Sequence, residues 1–449
     1  MYLLLIPVLL VALLAGACGD AAEPIRRSLS ADTTHAEYAE ALTEIGFDQV
    51  ALGRDWLAAA TRALEQPVAI ALPFSETGYL APEEPDAAAY RFDVERGRRL
   101  SIEVVFESAQ PARLFVDLFE LREDRPPRRV AGLDPGQRVL EHDVRWSGPH
   151  LLRLQPELLR GGRYTVSQRT LASLESPVRG FTPTAVRSGF GAPRDGGERD
   201  HHGIDIFRPR GTPVIAAADG YARLGESPRG GRVVWLRDAR TNRRIYYAHL
   251  DDWAIEADGE VRTGDVLGFV GNTGNAITTP PHLHFGVYDR GPTDPVPYLQ
   301  RDDSAPPQIR ASLDRLGDWM RVSARRAALR GEPIAGAPET LLAPRLVVRV
   351  LAATADSYRV ELPDGTRGVL RARDLAPVAD VIATTAVNGP VRELPYPTAP
   401  VVASLEKPVR LAVLGHFGDF NLVRLPDARI AWAPRLTSAA SSPPARIRP

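Results

Sequence analysis

From Pro67 onward the sequence consists of short runs in which apolar and polar residues alternate, each closed by glycine or proline. A period of two puts successive side chains on opposite faces of a strand, so this pattern commits most of the chain to antiparallel sheet. Tyr90-Arg91-Phe92-Asp93-Val94, Leu100-Ser101-Ile102-Glu103-Val104 and Leu114-Phe115-Val116-Asp117-Leu118 predict a β-sandwich over 67–172. Residues 173–300 again show short strands and glycine turns with almost no helical periodicity. Further on, Leu346-Val347-Val348-Arg349-Val350 and Ser357-Tyr358-Arg359-Val360-Glu361-Leu362 predict a small barrel at 339–380. Val409-Arg410-Leu411, Asn421-Leu422-Val423-Arg424-Leu425 and Ala431-Trp432-Ala433 predict a second at 381–436. Helical spacing is confined to 35–65, where Tyr38, Leu42, Ile45 and Phe47 recur, and to a polar, Arg-rich linker at 301–338 with helical character. The tail, 437–449, is rich in Ser, Pro and Ala and reads as disordered. At 449 residues, and roughly 100 to 200 residues per domain, the expectation is a mainly β, multidomain chain. Its parts are a short N-terminal helical segment, a β-sandwich, an antiparallel β domain and small β-barrels.

Composition removes several function classes. The formal net charge is −1 with 44% hydrophobic residues, which gives no broad attraction for nucleic acid or an anionic surface. A partner must therefore be recognised in a site. Cys18 is the sole cysteine, so neither an internal disulfide framework nor a thiolate zinc site can form. Any metal must be held by histidine and carboxylate.

Residues 1–17 form a short apolar run with the length of a secretory h-region, too short for a membrane span. Its end, Leu14-Ala15-Gly16-Ala17-Cys18, resembles the lipobox of bacterial lipoproteins. Cleavage there leaves Cys18 as a lipidated first residue at the head of an anchor and helical segment, 18–66. An ordinary signal peptide with an incidental cysteine has the same outline. Both imply an exported protein.

The chemistry-bearing residues lie between 201 and 284. In His282-Leu283-His284 two imidazoles two residues apart project from one face of a strand. His201-His202-Gly203-Ile204-Asp205 supplies a nitrogen and a carboxylate across a glycine turn, and on composition alone His202 serves as well as His201. Such clusters also occur in loops that bind nothing. His249 ends the aromatic strand Ile245-Tyr246-Tyr247-Ala248-His249, and a lone histidine there ordinarily reads as a core or edge residue. Taken together, these residues supply what a hydrolytic zinc ion needs: three nitrogen or oxygen ligands, an open position for water, and groups to move protons. His-Glu-x-x-His and Gly-x-Ser-x-Gly are both absent.

In order, spacing and flanking glycines, the set resembles the LytM or lysostaphin-type zinc metallopeptidases, family M23, whose signature is His-x-x-x-Asp and His-x-His. Three further segments share the likeness. Arg187-Ser188-Gly189-Phe190-Gly191 with Arg194 looks like the family's opening strand and turn, Arg210–Gly220 like the strand after the aspartate, and Gly264–Gly274 like the strand pair before His-x-His. The resemblance implies a LytM-type domain over 173–300. It implies Zn2+ held by His201, Asp205 and His284, and His249 and His282 as the pair that handles protons or stabilises the oxyanion. The two C-terminal segments resemble bacterial SH3-type modules. The implied activity is zinc-dependent endopeptidase cleavage of peptidoglycan peptide cross-links, in the cell envelope, with a lipid on Cys18 reaching the membrane. The alternative is a non-catalytic LytM-type regulator that activates a cell-wall amidase, although such regulators typically lack zinc ligands.

Overall fold

The computed structural model describes residues 33–181, 186, 188–302, 304–331 and 339–435. The expected leader, Cys18 and the tail at 437–449 lie outside the described residues. No described helix is long and apolar enough to cross a membrane. The molecule is mainly β and multidomain, as the alternation predicts.

Two helices come first, His35–Glu44 and Ala51–Glu65. Thr34 and Glu37 close the first in a reciprocal capping box, which satisfies backbone N–H groups that the helix itself cannot. Tyr38, Leu42 and Trp56 pack on Phe115, and Trp56 Nε1 donates to the Pro156 carbonyl at 2.8 Å. The helices thus sit on the outside of the sandwich, because Val116 and Leu118, on the same strand as Phe115, face its core.

One sandwich sheet has five strands in the order Val68–Ala69, Ala88–Val94, Gly148–Pro156, Leu114–Glu120, Arg128–Gly132. The facing layer contains Phe74–Leu80, Gly162–Ala172, Arg98–Glu107 and Val139–Asp143. Tyr90, Phe92, Leu118 and Leu152 from the first meet Leu100, Ile102, Tyr164 and Val166 from the second in one buried core.

The second layer does not stop at the sandwich. Phe74–Leu80 pairs with Val347–Thr354, placing Thr77 opposite Ala353 and Gly78 opposite Ala352, so that residues more than 250 positions apart share one eleven-stranded sheet. Beneath the seam, Glu76 and Arg359 form a buried ion pair at 2.8 Å. Tyr90 Oη donates to the same carboxylate at 2.6 Å. A pair buried this deeply holds only because its remaining hydrogen-bonding capacity is satisfied. The segment 301–338 contributes strands Trp319–Val322 and Ala327–Arg330 to this sheet. Its expected helical character gives way because Met320 and Val322 alternate into a core with Leu329, Val348, Val350 and Val360. Further on, Ala383–Arg392, Val401–Phe417, Phe420–Arg424 and Ile430–Pro434 close into a four-stranded barrel.

Between these parts lies a nine-stranded sheet whose main order is Ile204–Phe207, His282–Tyr288, Arg244–Trp253, Gly231–Asp238, Gly220–Ser227, Gly259–Val261. Ile204, Ile206, Val234, Leu236, Ile245, Tyr247, Leu283, Phe285 and Val287 all bury on one face. Their alternate neighbours stand on the other, and the chemistry is there. The sheet is braced against the sandwich by Arg240, which bridges Glu141 at 2.9 Å and Asp143 at 3.0 Å, and by the Ser173 N–H, which donates to the Tyr298 carbonyl at 3.0 Å.

Candidate metal and catalytic site

Register explains how the two motifs meet. Ile204–Phe207 runs antiparallel to His282–Tyr288 with Asp205 directly opposite His284 and Phe207 opposite His282. Directly opposed side chains on one face lie within about 4.5–5.5 Å at Cβ, close enough for a carboxylate and an imidazole to share a ligand. His201 enters from the preceding turn and is 2% exposed. Its Nε2 lies 2.9 Å from His284 Nδ1 and 3.1 Å from Asp205 Oδ1, while His284 Nδ1 lies 3.2 Å from the same oxygen. The donor atoms of His201, Asp205 and His284 all fall within 4.8 Å of one another. His202 is exposed and stands outside this group.

The hydrogen bonds around the trio suit a cation. His201 Nδ1 donates to the Gly189 carbonyl at 2.9 Å. A carbonyl can only accept, so the proton sits on Nδ1 and the Nε2 lone pair points into the site. Asp205 accepts from Arg194 at 2.7 Å through Oδ2, leaving Oδ1 for the histidines. Although burial opposes the charged form, the His201 and His284 imidazoles beside it hold the Asp205 carboxyl well below the usual carboxylate range. Burial lowers His284, which favours the neutral form that can ligate, against the opposing pull of Asp205. Two ring nitrogens and an ionised carboxylate oxygen form a donor set that zinc accepts.

His249 and His282 complete the site. The ring centroids of His249 and His282 are 5.0 Å apart, and those of His249 and His284 are 6.0 Å apart. His249 Nδ1 donates to the Thr273 carbonyl at 2.9 Å and His282 Nδ1 to the Pro280 carbonyl at 2.9 Å, so each ring is anchored through Nδ1 and keeps Nε2 for the site. Burial, together with the neighbouring imidazoles, lowers His249 to about 4, so it is neutral at pH 7. Regular alternation would send His249 into the core, because Ala248 is opposite His284. A left-handed backbone at His249, φ 63°, redirects the side chain instead. Few non-glycine residues adopt this conformation, and it recurs where function outweighs strain.

Three residues matter beyond the motif. Arg194 orients Asp205 and also donates to Ser188 Oγ at 2.5 Å; its position in the opening turn was the only sequence signal. Gly203 leaves room for the His284 ring, since a Cβ there would lie 2.8 Å from its Nε2 and 2.5 Å from the Phe285 carbonyl oxygen. Tyr246 places its ring edge-on to His284, 5.8 Å between centroids.

Residues 199–295 match Peptidase family M23. The chain is 44% identical over 100 residues to the DD-carboxypeptidase/endopeptidase Mpg of Neisseria meningitidis, covering 22% of this chain and 22% of that protein. It is 38% identical over 138 residues to an L-Ala--D-Glu endopeptidase of Bacillus subtilis, covering 28% of this chain and 41% of that protein. The chain therefore spans less than half the length of either relative. Among solved structures, the catalytic domain of lysostaphin from Staphylococcus simulans matches at 30% identity and a TM-score of 0.24, covering 26% of this chain and 94% of that one. With the converging His201, Asp205 and His284, residues 199–295 are identified as a peptidase domain of family M23, of the LytM and lysostaphin type.

Proposed function

We propose that this protein is a zinc-dependent endopeptidase that hydrolyses the peptide cross-links of bacterial peptidoglycan. The observation that carries the proposal is the convergence of three donor atoms within 4.8 Å beside two imidazoles anchored through Nδ1. His201 Nε2, Asp205 Oδ1 and His284 Nδ1 would hold the ion. Zinc bound there supplies Lewis acidity, polarising a peptide carbonyl and lowering the pKa of water from 15.7 toward about 7.

The remaining work falls to the chain. Arg194 fixes the carboxylate, so that Asp205 keeps one oxygen turned toward the histidines. His249 and His282, each anchored through Nδ1, stand where Nε2 can accept a proton from the attacking water and return one to the leaving amine. One of the pair takes that proton, and the imidazolium so formed stabilises the oxyanion that develops on the former carbonyl. The intact donor set favours an enzyme over a non-catalytic amidase regulator, which would have no need of it.

Peptidoglycan as substrate follows from the M23 relatives, whose names describe endopeptidases. Export, with a lipid on Cys18, would bring the active site to the wall; Cys18→Ala should then release the protein from membranes, and continued pelleting would refute the anchor. The function itself is tested by incubating the full chain with purified peptidoglycan and identifying products by mass spectrometry, before and after chelation and zinc restoration. Release of uncross-linked fragments that stops with chelator and returns with zinc is the expected result. Intact cross-links in all samples would overturn the proposal.

A further inference from the structure

The sheet face that carries His284 also carries an aromatic tract that starts at Tyr246 and runs away from the metal-ligand trio. Val234, Leu236, Ile245, Tyr247 and Val287 bury in the core, so Trp235, Tyr246 and Tyr288 stand on the opposite, partly exposed face. Trp235 lies opposite Tyr246 and Tyr246 opposite Gly286. The rings form a continuous series: Tyr246 to Trp235 at 4.3 Å and Trp235 to Tyr288 at 5.3 Å, beginning 5.8 Å from His284. The bare backbone of Gly286 lies beneath the tract, where a Cβ would come 3.1 Å from the Tyr288 ring. The exposed Arg244 holds its guanidinium 5.7 Å from the Trp235 ring.

The solvated face of an antiparallel sheet is ordinarily polar. Three large aromatic residues in contact there, their ring planes tilted by 34° and 54° to one another, form an apolar surface with hydrogen-bonding edges, which suits a ligand with its own apolar faces and polar rim. We propose that Trp235, Tyr246 and Tyr288 form a platform on which the amino-sugar chain of the substrate stacks, with Arg244 donating to an acetamido carbonyl. This rests on the peptidoglycan reading above, in which the scissile peptide is tethered to such sugars. Distance supports the assignment. Tyr288 is four positions along the strand from His284, about 13 Å at 3.2–3.4 Å per residue. A peptide of about four extended residues spans the same length at about 3.3–3.6 Å each.

The test separates the platform from the hydrolytic site by using glycan strands stripped of peptide, which hold no bond for a peptidase to cut. Titrating them into the wild-type full chain, followed calorimetrically, should give saturable binding. Trp235→Ala should weaken it about tenfold or more, and Tyr288→Ala should weaken it as well. Thermal melting accompanies both variants, and Tyr288→Ala carries the test if Trp235→Ala fails to fold. In kinetics on the full chain, the preference in KM for a sugar-linked over a free peptide should shrink in either folded variant. No binding by wild type, or wild-type affinity in both variants, would overturn the platform even if cross-links are cleaved. Binding that the variants lose, in a protein that cleaves nothing, would retain the platform and remove the endopeptidase.

Discussion

Replacing Gly203 with Ala should impair zinc binding through a single methyl group. Its Cβ would sit 2.5 Å from the Phe285 carbonyl oxygen and 2.8 Å from both Cε1 and Nε2 of His284. Ordinary contacts are about 3.5–4.0 Å, so the imidazole or the strand behind it must move by roughly 0.5–1 Å. Neither is a flexible side-chain end: His284 is paired through its backbone with Asp205 and with Ala248. Overpacking of this kind costs about 1–3 kcal/mol of stability. The displaced Nδ1 should lose about 10–100-fold in metal affinity, the range seen when ligand orientation is disturbed. Turnover with zinc restored should remain about 100-fold low, because catalytic geometry tolerates little more than 1 Å of error. Chelator competition measures the affinity, and hydrolysis at added zinc measures the turnover. Gly225→Ala is the control in the same domain, since its Cβ would meet only Val233, at 3.5 Å. Wild-type zinc affinity and turnover in Gly203→Ala would refute the assignment of His284 Nδ1 as a ligand.

Three other predictions follow from the same contacts. His249→Ala and His282→Ala should retain zinc while turnover falls by about 10² to 10⁴; loss of metal from His282→Ala with retention in His284→Ala would reverse the roles within His-x-His. Arg359→Met should destabilise the chain by about 3–5 kcal/mol in denaturant unfolding, because it leaves Glu76 buried without its cation; an unchanged midpoint would show that the seam is not structural. Burial, followed by the charge of Arg153, lowers His35 from 6.5 to about 4, so the unfolded chain takes up this proton first as pH falls. Its contribution is complete above about pH 6.5 and lost toward pH 4, by up to about 3 kcal/mol. His142 and His150 are lowered by burial in the same direction, so the quantity to measure is the difference between wild type and His35→Asn in unfolding midpoints across that range.

The candidate site was legible in sequence wherever strand alternation governs. His282 and His284 share a face because they are two apart, and the glycine in His-His-Gly-Ile-Asp leaves room for the His284 ring. His249 was not legible from alternation, which assigns it to the core; only the family likeness singled it out, and the left-handed backbone that redirects it leaves no compositional trace. Arg194 acts through Asp205, a contact fixed by tertiary packing rather than by spacing. The pairing of Thr77 with Ala353 was invisible for a related reason: edge-to-edge sheet joining uses backbone groups that every residue carries. Its consequence is practical. A fragment beginning at residue 170 would lack Phe74–Leu80, the partner strand of Val347–Thr354, and would leave Arg359 without Glu76, so functional work requires the full chain.

The most direct test of the central claim is zinc content and peptidoglycan hydrolysis measured in one sample of the full chain, beside His284→Ala. One zinc per wild-type chain with release of uncross-linked fragments, and neither in the variant, is the predicted result. Stoichiometric zinc without cleavage in the wild type, or cleavage that survives in the zinc-free variant, would contradict it.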